Sequence, residues 1–143
     1  TGRWHRMDRA ALAPAPARPV PVWFGGFSDA AHERAARIGD GFLFARVGEG
    51  VSGGRPTEAV ETVLAQADRM RARVADLGRD PRSFQVEGRV NLRDDRAVRR
   101  AEAEAFRSAG FDYLAVNTMT AGLDGPPAHV AALHEIAKEF ELS

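Results

Sequence analysis

The sequence predicts an α/β fold of four consecutive βα units with parallel strands. Short apolar or alternating segments are followed by longer helix-like segments along most of the chain, and loops with glycine or proline join them. Strands that alternate with helices form parallel sheets with right-handed crossovers. Residues 1–19 contain three prolines, which remove backbone donors, and are predicted to be an irregular lead-in. Residues 20–143 are predicted to form one domain.

The first two units precede Gly78. Residues 20–24 are apolar throughout, as a buried parallel strand requires, and a helix is predicted over residues 28–38. The residues expected to face the core from this helix are Ala31, Ala35 and Ile38. The second strand is predicted at residues 42–45. The second helix begins at Pro56 and has the clearest periodicity, since its apolar residues recur at steps of three and four. They are Val60, Val63, Leu64, Ala67, Met70, Val74 and Leu77.

The last two units begin at residue 84. The third strand, residues 84–92, alternates strictly between apolar and polar side chains. A third helix is capped by Asp94 or Asp95 and closed by Gly110. The fourth strand is predicted at residues 113–117, and Pro126-Pro127 starts the last helix. The residues expected to face inward from these helices are Val98, Ala101, Ala105, Ala109, Val130, Leu133, Ala137 and Phe140.

The polar side chains of the third strand decide between two parallel architectures. These side chains are Gln85, Glu87, Arg89 and Asn91. In an open doubly wound sheet they would be buried between two helical layers, at a considerable desolvation cost. In a barrel they line the interior near the ligand-binding end. The sequence therefore predicts half of a TIM (βα)8 barrel.

Composition excludes several classes of function. Lys plus Arg equals Asp plus Glu at 20 each, so no net field attracts nucleic acid or anionic lipid. The chain has no cysteine, which removes disulfides and thiolate catalysis. The longest apolar run is far short of the ~20 residues of a membrane span. We expect a soluble, cytoplasmic protein with neither nucleic-acid nor membrane partners.

A glycine pair carries the main functional signal. Gly25-Gly26 closes the first strand and leads directly into Ser28, the expected N-cap of the first helix. Unpaired amides and the helix dipole at such a place both favour an anion. The pair is also compatible with a tight turn alone, because glycine adopts unusual backbone angles readily.

Other patterns give weaker signals. Residues 48–53 match G-x-G-x-x-G, but the next helix starts too late for a dinucleotide fingerprint, so a flexible loop is predicted. Glu87 and Arg89 share a strand face, where acid–base chemistry, a ligand contact or a structural ion pair would each fit, the ion pair being the default interpretation. His129 and His134 are five residues apart and do not share a helix face. We expect no metal site, and no residue is identified as a catalytic base.

Several segments together resemble the luciferase-like monooxygenases, which are flavin- or deazaflavin-dependent TIM-barrel oxidoreductases. The similar segments are residues 19–28, 35–42, 78–81 and 109–114, and the lead-in from Gly2 to Pro14. The resemblance implies the C-terminal half of such a barrel. It also implies a cofactor, FMN or the deazaflavin coenzyme F420, and a small organic substrate. The cofactor contacts that it implies are Gly25, Gly26, Phe27, Ser28, Arg46 and Gly48. Arg89 and Asn117 are further candidates for cofactor contacts, because they lie near the carboxyl ends of their strands, where barrel enzymes keep functional residues.

The first four units of such a barrel are not part of this sequence. The resemblance therefore implies an oxidoreductase that needs an N-terminal half, and the chain alone is not expected to be catalytically competent. One alternative is a non-catalytic half-barrel that pairs with a second copy, because open strand edges favour pairing. Another is a small doubly wound nucleotide-binding domain.

Overall fold

The computed structural model describes residues 3–4, 8, 14–44, 60–119 and 121–141 of the chain. Helices and strands alternate in the predicted order. They are β1 (Trp23–Gly25), α1 (Asp29–Ile38), β2 (Gly41–Leu43), α2 (Val60–Asp76), β3 (Gln85–Asn91), α3 (Arg96–Ser108), β4 (Tyr113–Asn117) and α4 (Gly125–Glu139). A short 3-10 helix, Pro81–Ser83, precedes β3.

The four strands form one parallel sheet in the order β1-β2-β3-β4. Since crossovers between neighbouring parallel strands are right-handed, this sequential order places the connecting helices on a single face. A doubly wound sheet requires a reversal of strand order, and the described sheet has none. The predicted half of a TIM barrel is confirmed as the fold class, and the doubly wound alternative is wrong.

The two faces of β3 differ as the alternation predicted. Val86 and Val90 are buried on the helix-covered face. Gly88 lies between them, and a Cβ there would come within 2.7 Å of the Phe106 ring, so α3 packs directly on the strand backbone. The polar row faces the other way, with Gln85, Glu87 and Arg89 half-buried. That face is the barrel interior of the predicted architecture.

The hydrophobic core lies between the sheet and helices α1 to α3. Val63, Ala67 and Val74 of α2 are completely buried, which confirms the predicted apolar stripe within that helix. The prediction for Leu77, the last residue of the predicted stripe, is wrong: Leu77 follows the end of α2 at Asp76 and is 38% exposed. The large side chains of the core come mainly from the strands and their ends. The core comprises Ala35, Ala36, Phe42, Phe44, Val63, Ala67, Met70, Val74, Phe84, Val86, Val90 and Phe106.

Two aspartates join neighbouring strands at the amino end of the sheet. The carboxylate of Asp40, just before β2, accepts a hydrogen bond from the amide of Val22 at 2.7 Å, and the amide of Asp40 donates to the Val22 carbonyl. Asp112, just before β4, does the same with Val86, at 2.8 and 3.0 Å. Each carboxylate thus extends the backbone pairing by one bond.

Several predicted boundaries and faces are wrong. β1 begins at Trp23 and not at Val20, and Val20 and Val22 are exposed. Ile38, at the last turn of α1, and Val98, in the first turn of α3, are exposed as well. These residues lie at element ends, where the chain diverges from the core and local periodicity no longer predicts burial. Ala101, near the middle of α3, is exposed too, because the buried face of that helix is formed by Arg99, Glu102 and Phe106.

The inward face predicted for α4 is also wrong. Val130 is 52% and Leu133 44% exposed, whereas Ile136 is the buried residue of this helix. Leu114 on β4 is 38% exposed, so α4 does not cover that part of the strand. The helix is held instead by contacts near its two ends, described below.

Some predictions fall outside the described residues. These are the end of the second strand at Ala45, Arg46 and Gly48 in the following loop, the G-x-G-x-x-G pattern, and Pro56 at the start of the second helix. Residues 14–22 contain no helix or strand. Among the described residues, no helix is both long and apolar enough to cross a membrane.

Candidate functional site

The glycine corner, residues 25–28, connects β1 to α1 at the carboxyl end of the sheet. Gly26 has a φ of 136°, a conformation that favours glycine. A Cβ at this position would lie 3.1 Å from the Cβ of Ala31. The turn and the close approach of α1 therefore both require glycine at position 26. At Gly25 an added Cβ would make only ordinary contacts, the nearest at 3.7 Å.

Ser28 is the N-cap of α1, as predicted. Its Oγ accepts a hydrogen bond from the amide of Ala31 at 3.2 Å, and its carbonyl accepts from Ala31 and His32. The amides of Asp29 and Ala30 belong to the first turn, which has no intrahelical acceptors for them. Together with the positive end of the helix dipole, they can receive an anion beside Gly26.

A second polar group lies at the carboxyl ends of β3 and β4. Asn117 donates from Nδ2 to Oδ1 of Asn91 at 3.1 Å, and its own Oδ1 accepts from the amide of Met119 at 3.0 Å. Asn91, only 3% exposed, donates in turn to Oδ2 of Asp94 at 3.2 Å. The backbone donor at one end and the carboxylate at the other fix the orientation of both amides. We call Asn91 and Asn117 the asparagine pair.

Arg89 lies two residues before Asn91 on the same face of β3. Its guanidinium is 3.7 Å from Oε1 of Glu87, and the two side chains are 32% and 21% exposed. The structural ion pair anticipated for these residues is therefore present. The exposed part of Arg89 leaves it able to contact a ligand on the concave face.

Sequence reasoning missed a contact between Thr118 and His129. Nδ1 of His129, in α4, lies 2.7 Å from Oγ1 of Thr118, just after β4. No spacing rule connects a threonine after a strand to a histidine eleven residues later. The contact depends on where α4 lies, and no local pattern predicts that.

The predicted site residues fall into two groups. Gly25, Gly26, Phe27 and Ser28 form the glycine corner at β1, whereas Arg89 and Asn117 lie on β3 and β4. β2 separates the strands of the two groups. Both groups lie at the carboxyl end of the sheet, where (βα)8 enzymes hold their ligands. Among the residues described by the structure, no cluster of three His, Cys, Asp or Glu side chains could hold a metal ion.

A family model described as luciferase-like monooxygenase matches residues 1–140. The chain belongs to the luciferase-like monooxygenase family. The match covers the glycine corner, the asparagine pair and all four βα units, so the resemblance carried by the separate segments is confirmed.

Curated relatives match shorter segments. An uncharacterized protein of Mycobacterium tuberculosis is 34% identical over 70 residues, which is 49% of this chain and 21% of that protein. An F420-dependent glucose-6-phosphate dehydrogenase of Nakamurella multipartita is 36% identical over 63 residues, which is 44% of this chain and 17% of the enzyme. The matched segments thus span about a fifth of each relative's length.

Proposed function

We propose that this chain supplies the cofactor-phosphate corner of a flavin- or deazaflavin-dependent oxidoreductase. The glycine corner carries the proposal, because it combines a positive-φ glycine, a side-chain-capped helix and first-turn amides at the carboxyl end of a parallel sheet. An anion at this place gains from the amides and the dipole without needing a lysine or arginine. Family membership and the F420-dependent relative support the same assignment.

FMN and coenzyme F420 both carry phosphate, and the corner fits such a group. The absence of a side chain at Gly26 lets a phosphate oxygen approach the backbone of residues 26–30. Phe27 adds a backbone amide and a half-exposed ring, and Ser28 a hydroxyl beside the helix end. Arg89 and Asn117 would be secondary contacts, and Arg46 and Gly48 are proposed contacts from the loop after β2. When bound, the cofactor supplies the redox chemistry, and these residues bind and orient it.

Among the described residues no strand pairs with the outer edge of β1 or of β4, and we propose that further barrel strands cover these edges. Apolar side chains are exposed at each edge: Val20, Val22 and Ile38 near β1, and Tyr113, Leu114, Val130 and Leu133 near β4. Exposed apolar surface of this kind is typical of an interaction site. Four further βα units would complete the barrel and add the rest of the substrate pocket. A small organic substrate and a cytoplasmic location complete the proposal, and the absence of cysteine agrees with a reducing compartment.

Titration with FMN and with F420 tests the cofactor assignment. We expect the fluorescence of one of them to change saturably on addition of the protein, and inorganic phosphate to compete. Riboflavin lacks the phosphate and is the matched control for FMN. Binding of riboflavin as tight as that of FMN would contradict a phosphate corner, and binding of neither cofactor would contradict the proposed function.

Open edges also favour a second candidate, a non-catalytic half-barrel closed by a second copy of the chain. A two-fold axis along the barrel would place β4 of one copy beside β1 of the other, twice. Light scattering after size exclusion decides the matter, since the chain has a mass of 15.5 kDa and a closed pair twice that value. A stable monomer that binds cofactor would exclude this candidate.

A further inference from the structure

In the part of the chain that the structure describes, three arginines each donate to two backbone carbonyls, two of them at the amino end of the sheet and one at the carboxyl end. Arg79 donates to the carbonyls of Ala36 and Gly39, both at 2.7 Å, at the C-terminal end of α1. Arg71 donates to the carbonyls of Ala109 and Gly110 at the C-terminal end of α3. These helix ends lead into β2 and β4 at the amino end of the sheet. A cation there satisfies terminal carbonyls and complements the helix dipole, so both contacts serve stability.

Arg99 makes the equivalent contact at the opposite end. From the first turn of α3 its Nη1 donates to the carbonyl of Leu92 at 3.0 Å and to that of Asp94. Both carbonyls belong to residues 92–95, the loop that leaves β3 at the ligand-binding end. In (βα)8 enzymes this end carries function, and the amino end carries stability.

The Arg99 guanidinium is fixed by a largely buried carboxylate. Its Nη2 donates to Oε2 of Glu139, near the end of α4, at 2.7 Å, with side-chain exposures of 10% and 8%. Nε of Arg99 and Oε1 of Glu139 are buried without a hydrogen-bond partner. A buried ion pair with incomplete hydrogen bonding contributes little net stability, because desolvation offsets the attraction. Its geometric effect is to fasten α4 to the loop after β3.

The loop continues directly into the asparagine pair. Asp94, whose carbonyl Arg99 holds, accepts the Asn91 amide with its carboxylate, and Asn91 accepts the amide of Asn117. One continuous set of hydrogen bonds thus runs from Glu139 through Arg99 and Asp94 to Asn117. Neighbours in such a network polarise and orient one another.

We propose that Arg99 is a positioning residue for the ligand-binding end of the sheet, acting through the loop after β3 on the asparagine pair. Arg99 is only 8% exposed and acts on the site through its neighbours. It holds Asp94 where the carboxylate fixes the Asn91 amide, and thereby fixes the direction in which Asn117 presents its remaining N–H. The consequence for cofactor binding rests on the proposed function, whereas the orientation of Asn117 does not.

The test compares Arg99→Lys with Arg79→Lys, which removes an equivalent two-carbonyl contact at the amino end. In the ligand-free protein, NMR hydrogen exchange of the Asn117 side-chain amide is expected to become at least about tenfold faster in Arg99→Lys and to stay unchanged in Arg79→Lys. Both variants are expected to lower Tm. Unchanged Asn117 exchange in Arg99→Lys, or an equal change in the two variants, would overturn the proposal.

A second variant covers the case in which Arg99→Lys does not fold. Glu139→Gln keeps the shape of the partner and removes its charge, so it should loosen Arg99 and speed Asn117 exchange by a smaller factor. An unchanged Asn117 amide in a folded Glu139→Gln protein would overturn the proposal as well.

A double-mutant cycle tests the link to the cofactor. If Arg99 acts through Asn117, Arg99→Lys and Asn117→Ala should each raise the Kd for F420 or FMN by about tenfold. The double variant should raise the Kd by no more than either single variant. A Kd of the double variant that rises by the product of the two single factors would show that Arg99 does not act through Asn117. Absence of cofactor binding by the parent protein would overturn the proposed function, while the exchange measurement would still decide whether Arg99 positions the pair.

Discussion

The indole of Trp23 packs edge-on against the ring of Tyr113, with ring centroids 5.3 Å apart, although their strands are the two outer strands of the sheet. Across a flat sheet, four neighbouring strands would separate these backbones by about 14 Å. The indole lies directly over Gly41 of β2, where a Cβ would approach the ring to 2.6 Å. Two aromatic side chains thus close the amino end of the concave face, below the polar residues of β3.

Gly41→Ala tests this aromatic floor. The added methyl group would meet the Trp23 ring at 2.6 Å and the Gln85 carbonyl at 2.8 Å, so the ring must leave its position. We expect a loss of about 1–3 kcal/mol in the free energy of unfolding, as for other overpacked cores. Gly25→Ala is the control, since its methyl group would have its nearest contact at 3.7 Å. Urea unfolding of the two variants measures the difference, and equal stability would show that Trp23 does not occupy this place.

Gly26→Asp and Gly26→Asn form a matched pair for the glycine corner. Both introduce the same strain at a φ of 136° and the same contact with Ala31, so the steric part of their effect on Tm should be the same. They differ by one negative charge beside the proposed phosphate. We expect cofactor binding to weaken by at least about tenfold more in the aspartate variant, at low salt. Equal cofactor affinities of the two variants would show that the cofactor phosphate does not bind at the glycine corner.

Local patterns predicted the buried faces of β3 and α2, but not those of α3 and α4. The strict alternation over residues 84–92 identified both faces of β3, because a strand with one covered face has a period of two. The apolar stripe of α2 identified Val63, Ala67 and Val74 as buried, because a helix with one covered face has a period of 3.6 residues. Val130 and Leu133 were misplaced because the position of α4 depends on Ile136 and on Glu139, which bonds to Arg99 across 40 residues. Tertiary contacts of that kind have no local signature.

In the candidate site, too, the local features were predicted and the tertiary contacts were not. The glycine corner and its Ser28 cap are consecutive residues, and their geometry follows from local rules on glycine and N-caps. Asn117 was predicted as a residue at a strand end, but its bond to Asn91 follows from the register that pairs these residues across β3 and β4. Thr118 and His129 were not paired at all.

Val63→Asp tests the core of α2. Val63 is completely buried, and a carboxylate there would have no partner. We expect the free energy of unfolding to fall by at least about 3 kcal/mol, a large fraction of the total of about 5–15 kcal/mol, so Tm should drop sharply and the variant should tend to unfold or aggregate. Thr62→Asp, one residue earlier and exposed, is the control and should leave the melting curve nearly unchanged. An unaltered Tm in Val63→Asp would show that Val63 does not lie on the buried face of α2.

Asp80 predicts an acid-dependent contribution to stability. The hydrogen bond from the Arg82 side chain, followed by that from the Arg82 amide, holds the pKa of Asp80 below its ordinary value of 3.8. Because the pKa is lower in the folded state, the contribution is fully present at neutral pH and is lost as the pH falls below about 4. Thermal melts of the parent and of Asp80→Asn should therefore differ at pH 6 and converge in acid. A difference in Tm that persists undiminished to pH 2 would contradict this origin.

Asp40 and Asp112 predict a repeated contribution from the amino end of the sheet. Each carboxylate receives the amide of a neighbouring strand, Val22 at 2.7 Å and Val86 at 2.8 Å. Asp40→Ala and Asp112→Ala each leave one amide unpaired, and we expect losses of about 1–2 kcal/mol, with the larger at Asp112, whose bond is partly buried. Asp40→Asn and Asp112→Asn retain an acceptor and should recover part of the loss.

The two sites lie on different strand pairs, so the double alanine variant should show the sum of the single effects in urea unfolding. Cofactor affinity should remain unchanged, because both aspartates lie at the end of the sheet opposite to the glycine corner.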